Sequence, residues 1–139
     1  MKAIMFVLLI ITSLNLYATD LKITDAKIRL VPPTSSVSAL FMKIKNNTKK
    51  DLKITSIESN ISKIVELHNM IMDNGGMQMR PVENIELKAN SITELKRGGL
   101  HVMFIELKKP LRDGDIHKIK INLDDKTSVT INAKVQVID

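Results

Sequence analysis

The sequence predicts an all-β domain, an antiparallel β-sandwich with Greek-key connections, and three observations carry that reading. Apolar and polar residues alternate over many short stretches, the period-two signature of strands with one buried face. Pro, Gly, Asn and Asp separate those stretches, so the chain reverses in turns instead of crossing over through helices. No stretch beyond the leader shows a helical stripe, and the apolar residues are mainly Ile, Val and Leu, with no Trp and one Tyr.

Taken in order, Leu21 to Val31 forms a first extended segment, ended by Pro32 and Pro33. Val37 to Lys45 puts Leu40, Met42 and Ile44 on one face, and Asn46, Asn47 and Thr48 make the turn that follows. Leu52 to Ile57, Ile64 to Met72 and Met77 to Val82 are the next strands, and Ile85 to Leu87 and Ile92 to Leu95 are short ones. Leu100 to Leu107 is a strong strand, closed by Pro110 and the turn Asp113, Gly114, Asp115. Ile119, Ile121 and Leu123 alternate, as do Val129 through Val137, with Asp124 to Lys126 as the turn between them.

Length and composition set the bounds. A chain of 139 residues with 44% hydrophobic and 26% charged residues builds one domain around one core. It has no cysteine, which removes disulfides, zinc-thiolate sites, thiol redox chemistry and a blue-copper thiolate ligand. The net charge of +6 is spread along the chain without clustered Arg or stacking aromatics, which argues against a nucleic-acid partner and for a solvated basic surface. Residues 1–18 carry Lys2, an apolar run from Ala3 to Ile11 and a closing Ala18, the pattern of a secretory signal peptide. Residues 19–139 are then the folded domain, expected in a periplasm without a permanent membrane anchor, the apolar run being too short for one. No cysteine stands at the expected cut, so no lipoprotein route is expected.

The chemistry concentrates between His68 and Met103, where two of three histidines and five of eight methionines fall. Methionine ordinarily fills gaps in cores, so thioethers crowded beside imidazoles call for a chemical reason. Thioether and imidazole together suit copper, above all Cu(I), and the absence of carboxylates from the set argues against calcium or magnesium. Asn74-Gly75 is a strong type I′ hairpin signal. A turn there pairs Asp73 with Gly76, Met72 with Met77 and Met70 with Met79, and leaves His68 diagonal to Met79 on the same face. His101 and Met103, two apart on one strand, share a face with Cα atoms about 7 Å apart. Gly75, Gly76, Gly98 and Gly99 provide backbone freedom around the site.

His68, ten intervening residues, Met79, twenty-one more, His101, one more, and Met103 is the spacing of the periplasmic copper(I) chaperones called PCuAC, which this chain resembles. Met79-Arg80-Pro81-Val82, Gly98-Gly99-Leu100-His101-Val102-Met103, Leu107-Lys108, Pro110-Leu111 and Gly114-Asp115 extend the resemblance over nearly the whole domain. It implies a cupredoxin-like β-sandwich that binds one Cu(I) through His68, Met79, His101 and Met103; Met70, Met72 and Met77, outside that set, read as core or rim packing or as secondary ligands that receive copper during transfer. It also implies a carrier that hands Cu(I) to a copper-acceptor protein, an oxidase subunit with a binuclear copper site or another assembly factor; a monomer is expected. The chain ends at Asp139 without the His/Met-rich tail of some relatives, and on that ground a second copper site is not expected.

Other polar residues read as structural. His117 lies near Asp115 at a strand start, Met42 alternates with core residues, and Asp113, Asp115, Asp124 and Asp125 sit at turns. Asn46-Asn47-Thr48 and Asn60-Ile61-Ser62 match the glycosylation pattern and are assigned no role. No nucleophile-and-base or paired-carboxylate motif points to an enzyme. The competing readings are a non-metal periplasmic β-sandwich interaction module with merely apolar methionines, and a copper oxidoreductase.

Overall fold

The computed structural model describes residues 20–139; the signal-peptide reading falls on residues outside that range. Ten strands follow one another: β1 (Leu21–Arg29), β2 (Val37–Asn46), β3 (Leu52–Glu58), β4 (Ser62–Asp73), β5 (Gly76–Pro81), β6 (Ile85–Leu87), β7 (Ser91–Leu95), β8 (His101–Leu107), β9 (Ile116–Leu123) and β10 (Ser128–Gln136). Among the described residues no helix is long and apolar enough to cross a membrane.

The strands lie in the order β5-β4-β8-β2-β1-β10-β9-β3-β6, with β7 also paired to β2. Far strands meet again without backbone ladder pairing, β3 against β4 and β6 against both β2 and β7. The sheet therefore folds over itself into two layers, and its enclosed face is the core. Ile28, Leu40, Ile44, Leu67, Val102, Phe104, Ile119, Ile121 and Val135 meet there, each at an alternating strand position. Met42 is buried among them, as the sequence predicts.

One feature departs from an all-antiparallel sheet. β1 pairs with β10 in parallel through Lys27 to Lys134, Ile28 to Val135 and Arg29 to Gln136. The two segments come from opposite ends of the domain, so no local turn dictates their relative direction. β1 also carries an irregularity between Thr24 and Lys27, where Asp25 has φ 56°.

The turn at Asn46 is held from inside. Its amide donates to the Lys50 carbonyl at 2.8 Å and the Leu87 carbonyl at 2.9 Å. Its side-chain oxygen accepts from the Thr48 amide at 3.0 Å and hydroxyl at 2.7 Å. With 0% of the residue exposed, this asparagine is a satisfied core group and not a glycan acceptor.

The strand that matters most for the site is interrupted. β7 and β8 lie end to end along one edge of β2, pairing at Met42 to Leu95 and at Leu40 to Val102. Between them Lys96 to Leu100 is pinched into a loop, with the Lys96 amide donating to the Leu100 carbonyl at 2.9 Å and the Gly99 amide to the Lys96 carbonyl at 3.0 Å. Gly98 has φ 81°, a conformation that a side chain would strain. The loop delivers His101 as the first residue of β8.

Candidate metal centre

The β4–β5 hairpin forms in the register that Asn74-Gly75 predicts. Asn74 and Gly75 have φ 49° and 83°, both positive as a type I′ turn demands. Asp73 pairs with Gly76, Met72 with Met77, Met70 with Met79 and His68 with Pro81. On the other edge of β4, His68 pairs with His101 and Glu66 with Met103, and Met103 pairs onward with Ala39 of β2. Cross-strand partners share a face, so Met79, Met70, His68, Glu66, His101 and Met103 all project from the side opposite Leu67, Val102 and Phe104.

Met70, Met79, His101 and Met103 line one cleft of about 560 Å³. Phe41 forms part of its wall, with its ring centroid 6.3 Å from that of His101. Arg29 and Arg97 also line it, and no carboxylate does. His68 is not in the cleft wall. It stands beside His101 with ring centroids 5.8 Å apart. Both imidazoles are buried, His68 9% and His101 5% exposed, whereas Met79 is 51% exposed at the mouth. A soft-cation pocket built this way has directional nitrogen donors inside and a flexible sulfur at its entrance.

The hydrogen bonds settle which nitrogen of each ring is available. His101 Nδ1 lies 2.7 Å from the Gly99 carbonyl, which only accepts, so Nδ1 carries the proton and Nε2 keeps its lone pair in the neutral ring. That Nε2 lies 3.1 Å from the Met79 sulfur, another lone-pair donor. His68 Nε2 lies 2.7 Å from a Glu66 carboxylate oxygen and donates to it, which leaves Nδ1 as the open atom. His68 Nδ1 is buried without a hydrogen-bond partner. Each imidazole thus has one nitrogen tied to an acceptor and one free, the arrangement by which outer groups orient a metal ligand.

Burial holds the His101 imidazole below the ordinary histidine range. Its hydrogen bond to Gly99 opposes that shift, and charge on neighbouring His68 adds to it. The ring therefore stays neutral, with its lone pair free, at more acidic pH than an exposed histidine would. No group of three or more His, Cys, Asp or Glu side chains among the described residues converges on a point. The donor set is of another kind, nitrogen with thioether, which matches soft Cu(I) and needs no deprotonated acid.

Sequence reasoning missed Glu66. It stands two residues before His68, so period-two alternation already puts both side chains on one face. The auxiliary methionines take rim positions outside the core: Met72 and Met77 are 72% and 51% exposed, and Met70 is half-buried. His117 lies on β9, four strands from β8 in the sheet order, beside a separate cavity lined by Pro110 and Leu111.

Residues 21–135 match the LpqE-like family. The chain belongs to the LpqE-like family. This LpqE-like chain is 31% identical over 101 residues to protein RP573 of Rickettsia prowazekii (strain Madrid E), spanning 72% of this chain but only 56% of that relative's length. Among solved structures, the copper-bound PCuAC domain from PmoF2 superposes with a TM-score of 0.72 at 19% identity, covering 86% of this chain and 94% of that one. The solution structure of the Cu(I) form of DR1885 from Deinococcus radiodurans superposes with a TM-score of 0.62 at 28% identity, covering 80% of this chain and 74% of that one. The LpqE-like fold here is accordingly the cupredoxin-like β-sandwich of PCuAC domains, as the sequence resemblance implied.

Proposed function

We propose that this protein is a periplasmic Cu(I) chaperone, holding one Cu(I) through His68, Met79, His101 and Met103 and passing it to a copper-acceptor protein. The observation that carries this reading is the 3.1 Å approach of His101 Nε2 to the Met79 sulfur. With Nδ1 committed to Gly99, neither atom has a proton to offer the other, so two lone pairs face one another. A shared soft cation turns that repulsive contact into two bonds. The orphaned Nδ1 of His68 supplies a second imidazole beside the first, and Met103 supplies the second sulfur from the cleft wall.

Cu(I) is cargo in this reading, and the protein catalyses no covalent change. Neutral imidazole and thioether ligands exchange without proton loss at the bound state, which suits handover between proteins. The protein's own residues do three things: Gly99 and Glu66 orient the rings, Phe41 and burial exclude water, and the two arginines discourage hard dications from entering. The acceptor chemistry that fits is a site of like softness, a binuclear copper centre of a respiratory oxidase subunit or an assembly factor serving it. The structures solved with copper on the same fold support the reading.

The test is an anaerobic Cu(I) titration against a competing chelator, followed by incubation of the loaded protein with candidate acceptor domains and mass spectrometry of both partners. The expected result is one equivalent bound, loss of binding in His101→Ala/Met103→Ala, and transfer to an oxidase copper domain. Absence of one-to-one binding, or unchanged affinity in the double variant, overturns the copper site. Binding without transfer to any such acceptor overturns the chaperone role alone.

A further inference from the structure

Two methionines of the hairpin are left over by the four-ligand site, and their placement is unusual. Met72 and Met77 are opposite one another one rung in from the pair that closes the turn, and Met70 and Met79 form the next same-face rung inward. A two-residue loop closes on a hydrogen-bonded pair, here Asp73 with Gly76, so the two methionine rungs are both non-hydrogen-bonded pairs. Such pairs have Cα atoms about 4.5 Å apart and the closest side chains of any antiparallel position. Successive same-face rungs are about 7 Å apart along the strand, a gap that flexible thioether side chains can bridge. The innermost sulfur, on Met79, already touches His101.

Burial argues that this row is not core packing. Exposure rises outward, from His101 at 5% to Met79 at 51% and Met72 at 72%. The opposite face of the same hairpin carries Ile71 beside a polar cluster in which Arg80 donates to Asp73 and to Gln78, each at 2.9 Å. The two rungs of this face nearest the tip thus carry only thioethers, aligned with the cleft and ending in solvent. The imidazoles are buried, whereas Met72 and Met77 stand open to an acceptor protein.

We propose that Met72 and Met77 form a second, exposed Cu(I) station at the hairpin tip, and that copper moves between it and the cleft along the thioether row through Met70 and Met79. The proposal rests on the reading of the cleft as a Cu(I) site. Each step forms one copper–sulfur bond as another breaks. Copper stays Cu(I) throughout, and no proton is released because a thioether carries none. The station lies on the hairpin, independent of any tail.

The experiment uses the protein carrying 13C-labelled methionine methyl groups, titrated anaerobically with Cu(I), and the variant Met72→Leu/Met77→Leu, whose changes are volume-conserving and exposed. The first equivalent is expected to move the Met79 and Met103 methyl resonances, and the second to move those of Met72 and Met77. The variant is expected to keep first-equivalent affinity within about twofold and to release copper to bicinchoninate about tenfold more slowly, since the change falls on the route and not on the site. Met72 and Met77 resonances that stay fixed through two equivalents overturn the station, even if release slows, because the hairpin is then a docking face only. An unchanged release rate overturns the route. If the first equivalent leaves Met79 and Met103 unmoved, the underlying four-ligand reading falls as well.

Discussion

β4 and β8 have two faces that behave as different molecules. Toward the core they present Leu67, Val102 and Phe104, all buried and all apolar. On the other face the alternate residues Glu66, His68, Met70, His101 and Met103 present polar and soft donors. The same pleat produces both, because consecutive side chains point to opposite sides. The difference teaches that stability and, in the proposed function, ligand binding fall to interleaved residues one position apart. The inner face supplies apolar burial, whereas the outer face buries polar imidazoles, His68 and His101, each with one nitrogen hydrogen-bonded.

The strongest way to break that division is Phe104→Ala. Removing a fully buried ring on the inner face should cost about 3–5 kcal/mol of folding stability, read by denaturant unfolding of the apo protein. Cu(I) affinity of the fraction still folded should be little changed. On the outer face, Glu66→Ala removes the acceptor that orients His68. Measured by chelator competition, Cu(I) affinity should fall by about 10–100-fold, the usual consequence of losing a ligand's outer hydrogen bond, with little loss of apo stability. Should both faces respond alike to either change, the division is wrong.

Gly98→Ala sharpens the comparison where the two faces join. A side chain at its positive φ should cost about 1–2 kcal/mol in thermal or chemical unfolding and displace the Gly99 carbonyl that fixes His101 Nδ1. The smallest effect is on pH. Burial sets folded His101 below its unfolded value of 6.5, so the unfolded chain takes up its proton first as pH falls. The His101 contribution to apo stability is therefore whole above pH 6.5 and declines as pH drops below it toward the folded value. His101→Gln should flatten that slope in denaturation curves collected across the window.

Much of this was legible in the sequence, and the physical reason is local. All ten strands were marked by alternation and turn residues, which act over a few positions. The register from His68 to Met79 followed from Asn74 and Gly75 alone, because only positive φ at both positions gives that turn. The parallel pairing of β1 with β10 was not legible, since it joins segments a hundred residues apart with no turn between them. The place of Glu66 was missed although its spacing from His68 was in plain view, because a carboxylate did not belong to the soft-donor pattern. The loop of Lys96 to Leu100 was suggested only as a pair of glycines. Its role in tying His101 Nδ1 to Gly99 depends on side-chain geometry that no spacing encodes.

X-ray absorption at the copper edge, on protein loaded anaerobically with one equivalent of Cu(I), tests the central claim most directly. A first shell of mixed nitrogen and sulfur, losing its nitrogen component in His68→Ala/His101→Ala and its sulfur component in Met79→Leu/Met103→Leu, is the predicted result. A shell without sulfur, or one that survives both pairs of substitutions unchanged, would contradict it.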